Sequence, residues 1–473
     1  MSGSRPARAP RVMAIIVAVT VLAVVAAGSY LGTRQWRERN DLAERPFGAP
    51  AAAVAALAGA DAPPPPATAA APDAPEPAAA QIAAALGGEL TDPRLGGRLI
   101  GEVADAQTGD VLFDREDSTP ASPASTAKLV TAVALLSVRK ATDRITTTVR
   151  AGTAPGTVVF VGAGDPTLSA APPGTPTAYP DAARISDLAA QLKTVGVTHV
   201  LIDDSLFSGP AISPGWQPED VPSEYASAIT PLMADGGRPS PTATVRSATP
   251  DVAAADALAT DLGLPPSAVA PVPPGSDPPA PGRVLASVRS ATYGELLQQA
   301  LMASDNVLTE MLGRQVALAE HQPASFLGAA AAIRAVLGDL GVEIGAGMTD
   351  ASGLAGGDRL APAALVAVLR LVAGPARPQL HLVVTDLPVA GWAGTLSGRY
   401  TSAPASAAAG LVRAKTGTLT GVSTLAGFVP DAAGRLLAFS FVADRVGPTA
   451  AGTTAAEAAL DVLTASLATC SCG

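Results

Sequence analysis

Ser125–Thr–Ala–Lys128–Leu–Val–Thr–Ala–Val–Ala–Leu–Leu–Ser–Val138 is the stretch from which the rest of the chain can be read. From Lys128 to Val138 nearly every position is apolar, which predicts a helix buried on all sides rather than an amphipathic surface helix. A lysine at the mouth of such a helix is costly to bury unless it has a task. Ser125 and Lys128 are three positions apart, so on a helix they share one face and the ammonium reaches the hydroxyl. The helix N-terminus adds a field that favours negative charge developing at Ser125. The bland alternative is that Ser125 simply caps the helix.

Two further short motifs decide between these readings. Ser304–Asp305–Asn306 lies between expected helices at 295–302 and 307–319, and Lys415–Thr416–Gly417–Thr418 lies on an expected strand. Lys128, Lys140, Lys193 and Lys415 are the only lysines, and Asn40 and Asn306 the only asparagines, so chance placement of both types in ordered motifs is improbable. The set has the S-x-x-K, S-x-N and K-T-G pattern of penicillin-recognising serine enzymes. A lysine shielded from water and close to a second ammonium loses its proton more easily and becomes a base, so Lys128 near Lys415 suits the activation of Ser125. Ser304 suits relay of a proton to a leaving amine, and Asn306 suits a hydrogen bond to a substrate amide. Lys415 and the Thr416 hydroxyl offer a cation and a donor to a carboxylate, and Gly417 leaves room beside the strand. The backbone N–H groups of Ser125 and Thr418 would hold an oxyanion.

Composition removes other chemistries. The formal charge is −10, and Arg5, Arg8, Arg11, Arg34, Arg37 and Arg39 against Glu38 give residues 1–39 a charge of +5, leaving −15 for the rest. So acidic a body, with 3% aromatic residues, does not suit phosphate binding or base stacking, and no nucleic-acid partner is expected. His199, His321 and His381 are the only histidines, and both cysteines sit at the C-terminus, so no metal site and no cofactor is expected.

Residues 12–32 are apolar and uncharged, long enough to span a bilayer as a helix, and Arg5, Arg8 and Arg11 precede them. A signal anchor, a cleaved signal peptide and a buried helix are the three readings. The anchor is favoured, with a cytoplasmic segment at 1–11 and a single-pass, extracytoplasmic enzyme, which would be secreted if the segment is cleaved. Residues 33–85, rich in Ala and Pro from 48 to 79, read as an extended spacer. Beyond it, strands are expected at 98–103 and 111–113, over 147–161 and at 199–203, with helices at 187–194, 253–262 and 361–373. The stretch 411–429 and 436–443 reads as one hairpin turning at Asp431–Gly434, before a closing helix at 453–467. Strands at both ends of the body imply one sheet completed by both termini around a helical middle.

From about residue 88 to 468 the sequence resembles the class C low-molecular-mass penicillin-binding proteins, the D-alanyl-D-alanine carboxypeptidase/endopeptidase family. Besides the three motifs, the resemblance is carried by Gly162–Ala–Gly–Asp165–Pro–Thr–Leu168, Val200–Leu–Ile–Asp203–Asp–Ser–Leu–Phe207 and Pro214–Gly–Trp216. It continues in Asp350–Ala–Ser–Gly–Leu354, Leu387–Pro–Val–Ala–Gly391, Gly394–Thr–Leu396, and the run from Ala414–Lys–Thr–Gly417 to Leu425–Ala–Gly–Phe428. It implies an α/β (α+β) transpeptidase/β-lactamase-like core at 86–145 and 286–468, an insertion domain at 146–285 after the nucleophile helix, and a tail at 469–473. It implies peptidoglycan stem peptides and β-lactams as partners, with Ser125, Lys128, Ser304, Asn306 and Lys415 catalytic and Thr416, Gly417 and Thr418 binding substrate. Pro214–Gly–Trp216–Gln–Pro–Glu–Asp220 is similar to the family stretch whose acidic residue meets the free amine of a diamino acid, which implies Asp220, or its neighbour Glu219, as a substrate contact. A β-lactamase-like hydrolase and a non-catalytic wall-binding protein are the rival classes. Cys470 and Cys472 have no counterpart in this resemblance; cysteines two apart rarely bridge, leaving free, lipidated and intermolecular roles open. Oligomeric state is not legible.

Overall fold

A computed structural model describes residues 74–272 and 282–473. The segments expected at 1–11 and 12–32, and most of the 33–85 spacer, lie outside the described residues. Among the described residues no helix is long and apolar enough to cross a membrane.

In chain order the helices are α1 (Ala79–Leu86), α2 (Lys128–Val138), α3 (Ile185–Leu192), α4 (Pro250–Asp261) and α5 (Tyr293–Met302). They continue with α6 (Asn306–Ala319), α7 (Phe326–Asp339), α8 (Pro362–Ala373), α9 (Leu382–Thr385) and α10 (Ala450–Ala468). The strands are β1 (Leu99–Asp105), β2 (Val111–Arg115), β3 (Arg144–Ala151), β4 (Thr157–Val161) and β5 (His199–Asp203). They continue with β6 (Val269–Pro271), β7 (Val284–Thr292), β8 (Arg413–Leu419), β9 (Val422–Pro430) and β10 (Leu436–Ala443).

Strands from both chain ends form one antiparallel sheet in the order β2-β1-β10-β9-β8, with Gly101 opposite Phe441 and Lys415 opposite Ala426. Its faces follow the period of two along each strand. Leu425 and Val429 of β9, with Leu437, Phe439 and Phe441 of β10, meet Ile82, Leu86, Leu460 and Leu463 of α1 and α10. Ala426, Phe428 and Ala438 face the opposite way, into the core built on α2, α6 and α8. Helices on both faces therefore bury a sheet whose edge strand carries the Lys415 motif. The single long strand expected over 411–429 is instead two. β8 and β9 are joined at Thr420–Gly421, where Gly421 takes φ +80°, a conformation that glycine adopts without a Cβ penalty.

A second sheet runs β6-β5-β4-β3-β7, drawn wholly from residues 144–292. β4, β5 and β6 are parallel, and β3 and β7 close the sheet antiparallel. Leu188, Leu192, Ala254 and Leu258 cover it from α3 and α4. β7 leads directly into α5 through a capping box in which Thr292 and Glu295 satisfy each other's backbone N–H groups.

Two expectations at the ends of the body are corrected. The spacer was expected to reach residue 85, but α1 begins at Ala79 and buries Ile82 and Leu86, an i, i+4 pair, against α10 and the sheet. Those two side chains are large enough to anchor a turn that composition alone marks as low in apolar bulk. Cys470 and Cys472 are paired with each other, with Cα atoms 5.1 Å apart, inside the range a disulfide requires.

Candidate active site

The nucleophile Ser125 does not sit on the α-helix itself, which begins at Lys128. Ala124–Ala127 form a 3-10 turn that runs into α2, and Ser125 makes no capping bond there. Ala124, with φ +45°, bends the chain just before the serine, a strained conformation for a residue with a Cβ. The tighter turn lifts Ser125 half out of the core while Lys128, 1% exposed, stays within it.

Lys128 Nζ lies 2.9 Å from Ser125 Oγ, 2.7 Å from Asn306 Oδ1 and 2.8 Å from the Ser352 carbonyl. The Asn306 amide is oriented because its Nδ2 donates to the Tyr225 carbonyl at 3.2 Å. Asn306 Oδ1 and Ser352 O can only accept. As an ammonium Lys128 donates to all three; once neutral, two N–H bonds stay directed to these two acceptors and the lone pair faces the Ser125 hydroxyl, the one of the three partners able to donate. Burial drives the Lys128 pKa down to about 8, against the opposing pull of Asp350, Glu310 and Asp305.

Lys415, fully buried on β8, donates to Ser304 Oγ and to the Thr416 carbonyl, each at 2.8 Å. Burial and then the charge of Lys128 hold its pKa well below the ordinary lysine range. The three motifs thus converge in two hydrogen-bonded groups, Lys128 with Ser125 and Asn306, and Lys415 with Ser304, which the short segment 304–306 joins along the chain. The Thr416 hydroxyl pairs with that of Thr395 at 2.8 Å, and the Thr418 hydroxyl donates to Glu457 on α10 at 2.9 Å.

Gly417 also serves the nucleophile turn. A Cβ there would fall 2.1 Å from Thr424 Oγ1, 2.9 Å from Pro123 O and 3.0 Å from Ser125 N. The missing side chain makes room for the nucleophile turn itself against β8.

Asn306 opens α6 rather than ending a loop, and Asp305 is the N-cap, its Oδ1 accepting from Leu308 N at 3.0 Å. Ser304 before it has φ +54°, which turns its hydroxyl towards Lys415. The other oxygen of Asp305 accepts from Tyr179 Oη and from Arg246, both at 2.8 Å, with Arg238 at 3.8 Å. Burial alone would raise the Asp305 pKa, but Arg246 and Arg238 outweigh it and hold the carboxylate well below its usual range. The middle residue of the second motif therefore ties the segment between β3 and β7 to the catalytic helix.

Asp220 ends a 3-10 turn, where its Oδ2 accepts from Gln217 N at 2.8 Å in a capping box. Trp216 just before it donates from Nε1 to Asp350 at 2.8 Å. Several participants went unassigned at the sequence level: Tyr225 and Ser352, which act through backbone carbonyls, and Thr395 and Glu310. Backbone acceptors leave no mark in residue type. The Asp350–Gly353 turn was a visible signal, since Gly353 takes φ +75° and a Cβ there would sit 1.9 Å from Ala124 O.

The chain matches the D-Ala-D-Ala carboxypeptidase 3 (S13) family over residues 82–260 and 239–467. It is 41% identical over 478 residues to carboxypeptidase DacB of Mycolicibacterium smegmatis, covering 99% of this chain and 100% of that one. It is 43% identical over 404 residues to a carboxypeptidase of Mycobacterium tuberculosis, covering 84% and 85% of the two chains. Its fold is similar to the crystal structure of penicillin binding protein 4 from Haemophilus influenzae, with TM-score 0.66 and 23% identity over 80% of this chain and 98% of that one.

Proposed function

The chain belongs to the D-Ala-D-Ala carboxypeptidase 3 (S13) family, and from that premise we propose how it works as a penicillin-sensitive serine-type D-Ala-D-Ala carboxypeptidase on peptidoglycan stem peptides. Ser125 Oγ attacks the carbonyl between the two D-residues as its proton passes to Lys128 Nζ. The oxyanion is held by the N–H groups of Ser125 and Thr418, each such donor contributing about 3 kcal/mol to the transition state. The C–N bond breaks as the leaving D-alanine amine takes a proton through Ser304 and Lys128. Water then attacks the acyl-enzyme, releasing the shortened peptide and restoring Ser125. Asn306 and Thr416 bind the substrate backbone and its terminal carboxylate beside Lys415. Cleavage of cross-links between D-alanine and a diamino acid follows the same steps with a larger leaving amine.

One observation carries this reading: of the three hydrogen-bond partners of Lys128 Nζ among the described residues, the Ser125 hydroxyl is the one that can donate to the neutral amine. The test is a fluorescent penicillin. The wild-type protein should take a persistent covalent label, and Ser125→Ala should take none while keeping its circular dichroism spectrum. Label on folded Ser125→Ala would remove Ser125 as the nucleophile. Rapid turnover by the wild type would instead indicate a β-lactamase, and no label a binding protein.

We also propose that residues 12–32 anchor the enzyme with its body outside the cell membrane, supported by Arg5, Arg8 and Arg11 ahead of an uncharged run. Release of the full-length chain from membranes by salt alone would contradict this.

A further inference from the structure

We propose that Glu310 is a positioning residue for Lys128: from α6 it fixes residues 351–352 against the lysine and supplies a negative charge that holds the lysine's proton. This rests on Lys128 being the base.

Asn306, Glu310 and Arg314 follow one another at intervals of four on α6 and so share a face. Asn306 meets Lys128 directly. One turn on, Glu310 is fully buried, and its Oε1 accepts from Ala351 N at 3.0 Å and Ser352 N at 2.8 Å. The carbonyls of the same two residues face α2: Ala351 O accepts from Thr131 Oγ1 at 2.7 Å, and Ser352 O from Lys128 Nζ at 2.8 Å. This short segment is therefore a bridge, with its N–H groups on Glu310 and its C=O groups on the nucleophile helix. Moving Glu310 moves the acceptor that orients Lys128.

The charge needs its own account. A neutral amide could accept both N–H bonds, and a buried carboxylate is costly unless paired. The chain meets that cost by burying Arg314 as well, 3.2 Å from Glu310 Oε2, with its guanidinium 4.1 Å from the Phe326 ring centre and 5.4 Å from that of Phe207. Burial and the nearby Asp350 push the Glu310 pKa up to about 7, and Arg314 with the two N–H donors pulls it back. The groups facing Lys128 are Asp350 from the 350–354 turn, Glu310 from α6, Asp305 from its cap and Lys415 from β8. Glu310 and Asp350 both act on the lysine and both accept from Ser352 N, but of the three carboxylates Glu310 is the one that holds Ala351 N and Ser352 N together, at 3.0 and 2.8 Å. Asp350, which also binds Ser352 N, is spread over the turn and Trp216.

The experiment follows the rate of β-lactam acylation against pH on the full-length protein. In the wild type the rate should fall on the acidic side as Lys128 takes a proton. Glu310→Gln keeps an oxygen for the two N–H groups and removes the charge. Its acidic limb should move down by roughly one pH unit, with KM for a peptide substrate unchanged. Glu310→Ala, which loses the acceptor too, should acylate at least tenfold more slowly at every pH, with Glu310→Gln restoring most of the rate at the optimum. An unmoved limb in folded Glu310→Gln would reduce Glu310 to a brace and overturn the proposal. If Glu310→Gln does not fold, Thr131→Val releases the bridge from its other side: slower acylation at unchanged KM supports the proposal, and an unchanged rate overturns it. A Lys128→Ala protein that acylates like the wild type would sink the assignment of the base instead. Loss of acylation in Lys128→Ala beside an unmoved Glu310→Gln limb would sink the Glu310 inference alone.

Discussion

Replacing Arg246 by methionine tests whether Asp305 joins the two halves of the molecule. Arg246 is 4% exposed, and besides Asp305 it donates to Gly236 O at 2.7 Å and Glu224 O at 3.3 Å. Methionine fills much of the same volume, so the loss is chiefly electrostatic. Removing one partner of a buried ion pair costs about 3–5 kcal/mol, because the other charge stays buried and unpaired. Arg238 remains 3.8 Å from Asp305, which favours the lower end of that range. For a cooperative unit of nearly 400 residues this is about 4–6 °C in Tm. Asp305 has a lowered pKa in the folded state. Its stabilisation is therefore complete above its unfolded pKa, at a pH of about 4, and is lost as pH falls through the lowered folded value. In Arg246→Met, burial is less opposed, so the carboxyl takes up a proton more readily and the mutant recovers in acid. The stability gap, read from urea melts by circular dichroism, should be widest near neutral pH and narrow below a pH of about 4. Acylation should also slow, because Asp305 sits between Ser304 and Asn306. A gap under about 1 kcal/mol, the size of an exposed pair, would refute the clamp. So would a gap that stays constant as pH falls.

Gly417→Ala should slow penicillin acylation at least tenfold and lower stability by about 1–3 kcal/mol, since its Cβ would press on Ser125 N and Pro123 O. Wild-type acylation rates in that variant would show that the nucleophile turn yields freely. Asp220→Asn keeps an oxygen for Gln217 N and removes only the charge. It should lower kcat/KM roughly tenfold for peptides with a free diamino-acid amine, and leave N-acetylated analogues and penicillin acylation alone. Equal losses on both peptides would make Asp220 a support of its loop.

The architecture was legible where side-chain pattern reports burial directly. Alternation along 422–430 and 436–443, and the unbroken apolar run of α2, announce a sheet with a helix packed on it. It failed where one residue outweighs its neighbours. Gly421 splits a strand-like stretch that otherwise reads as continuous, and Ile82 with Leu86 turns the end of an Ala- and Pro-rich stretch into a packed helix. The same composition that marks a spacer also supplies good helix formers, and only two anchors separate the outcomes.

Within the site, the residues that touch the reacting atoms were legible because lysine and asparagine are scarce here, so each motif carries weight. Which lysine holds a proton was not, because that is settled by groups remote in sequence. Both lysines are buried, and burial alone would discharge both. The burial of Lys128 is opposed by Asp350, Glu310 and Asp305, whereas among the described residues no carboxylate offsets that of Lys415, which meets the charge of Lys128 instead. Burial therefore lowers both pKa values, to about 8 for Lys128 against the pull of three carboxylates, and well below the ordinary lysine range for Lys415. Of these anions, Asp305 is held ionised by Arg246 and Arg238, and Arg314 opposes the burial that pushes Glu310 up to about 7. None of these arginines lies in one of the three motifs. Two identical side chains thus sit in different fields set by a second layer of buried charges, and a reading of short motifs ends at the first layer.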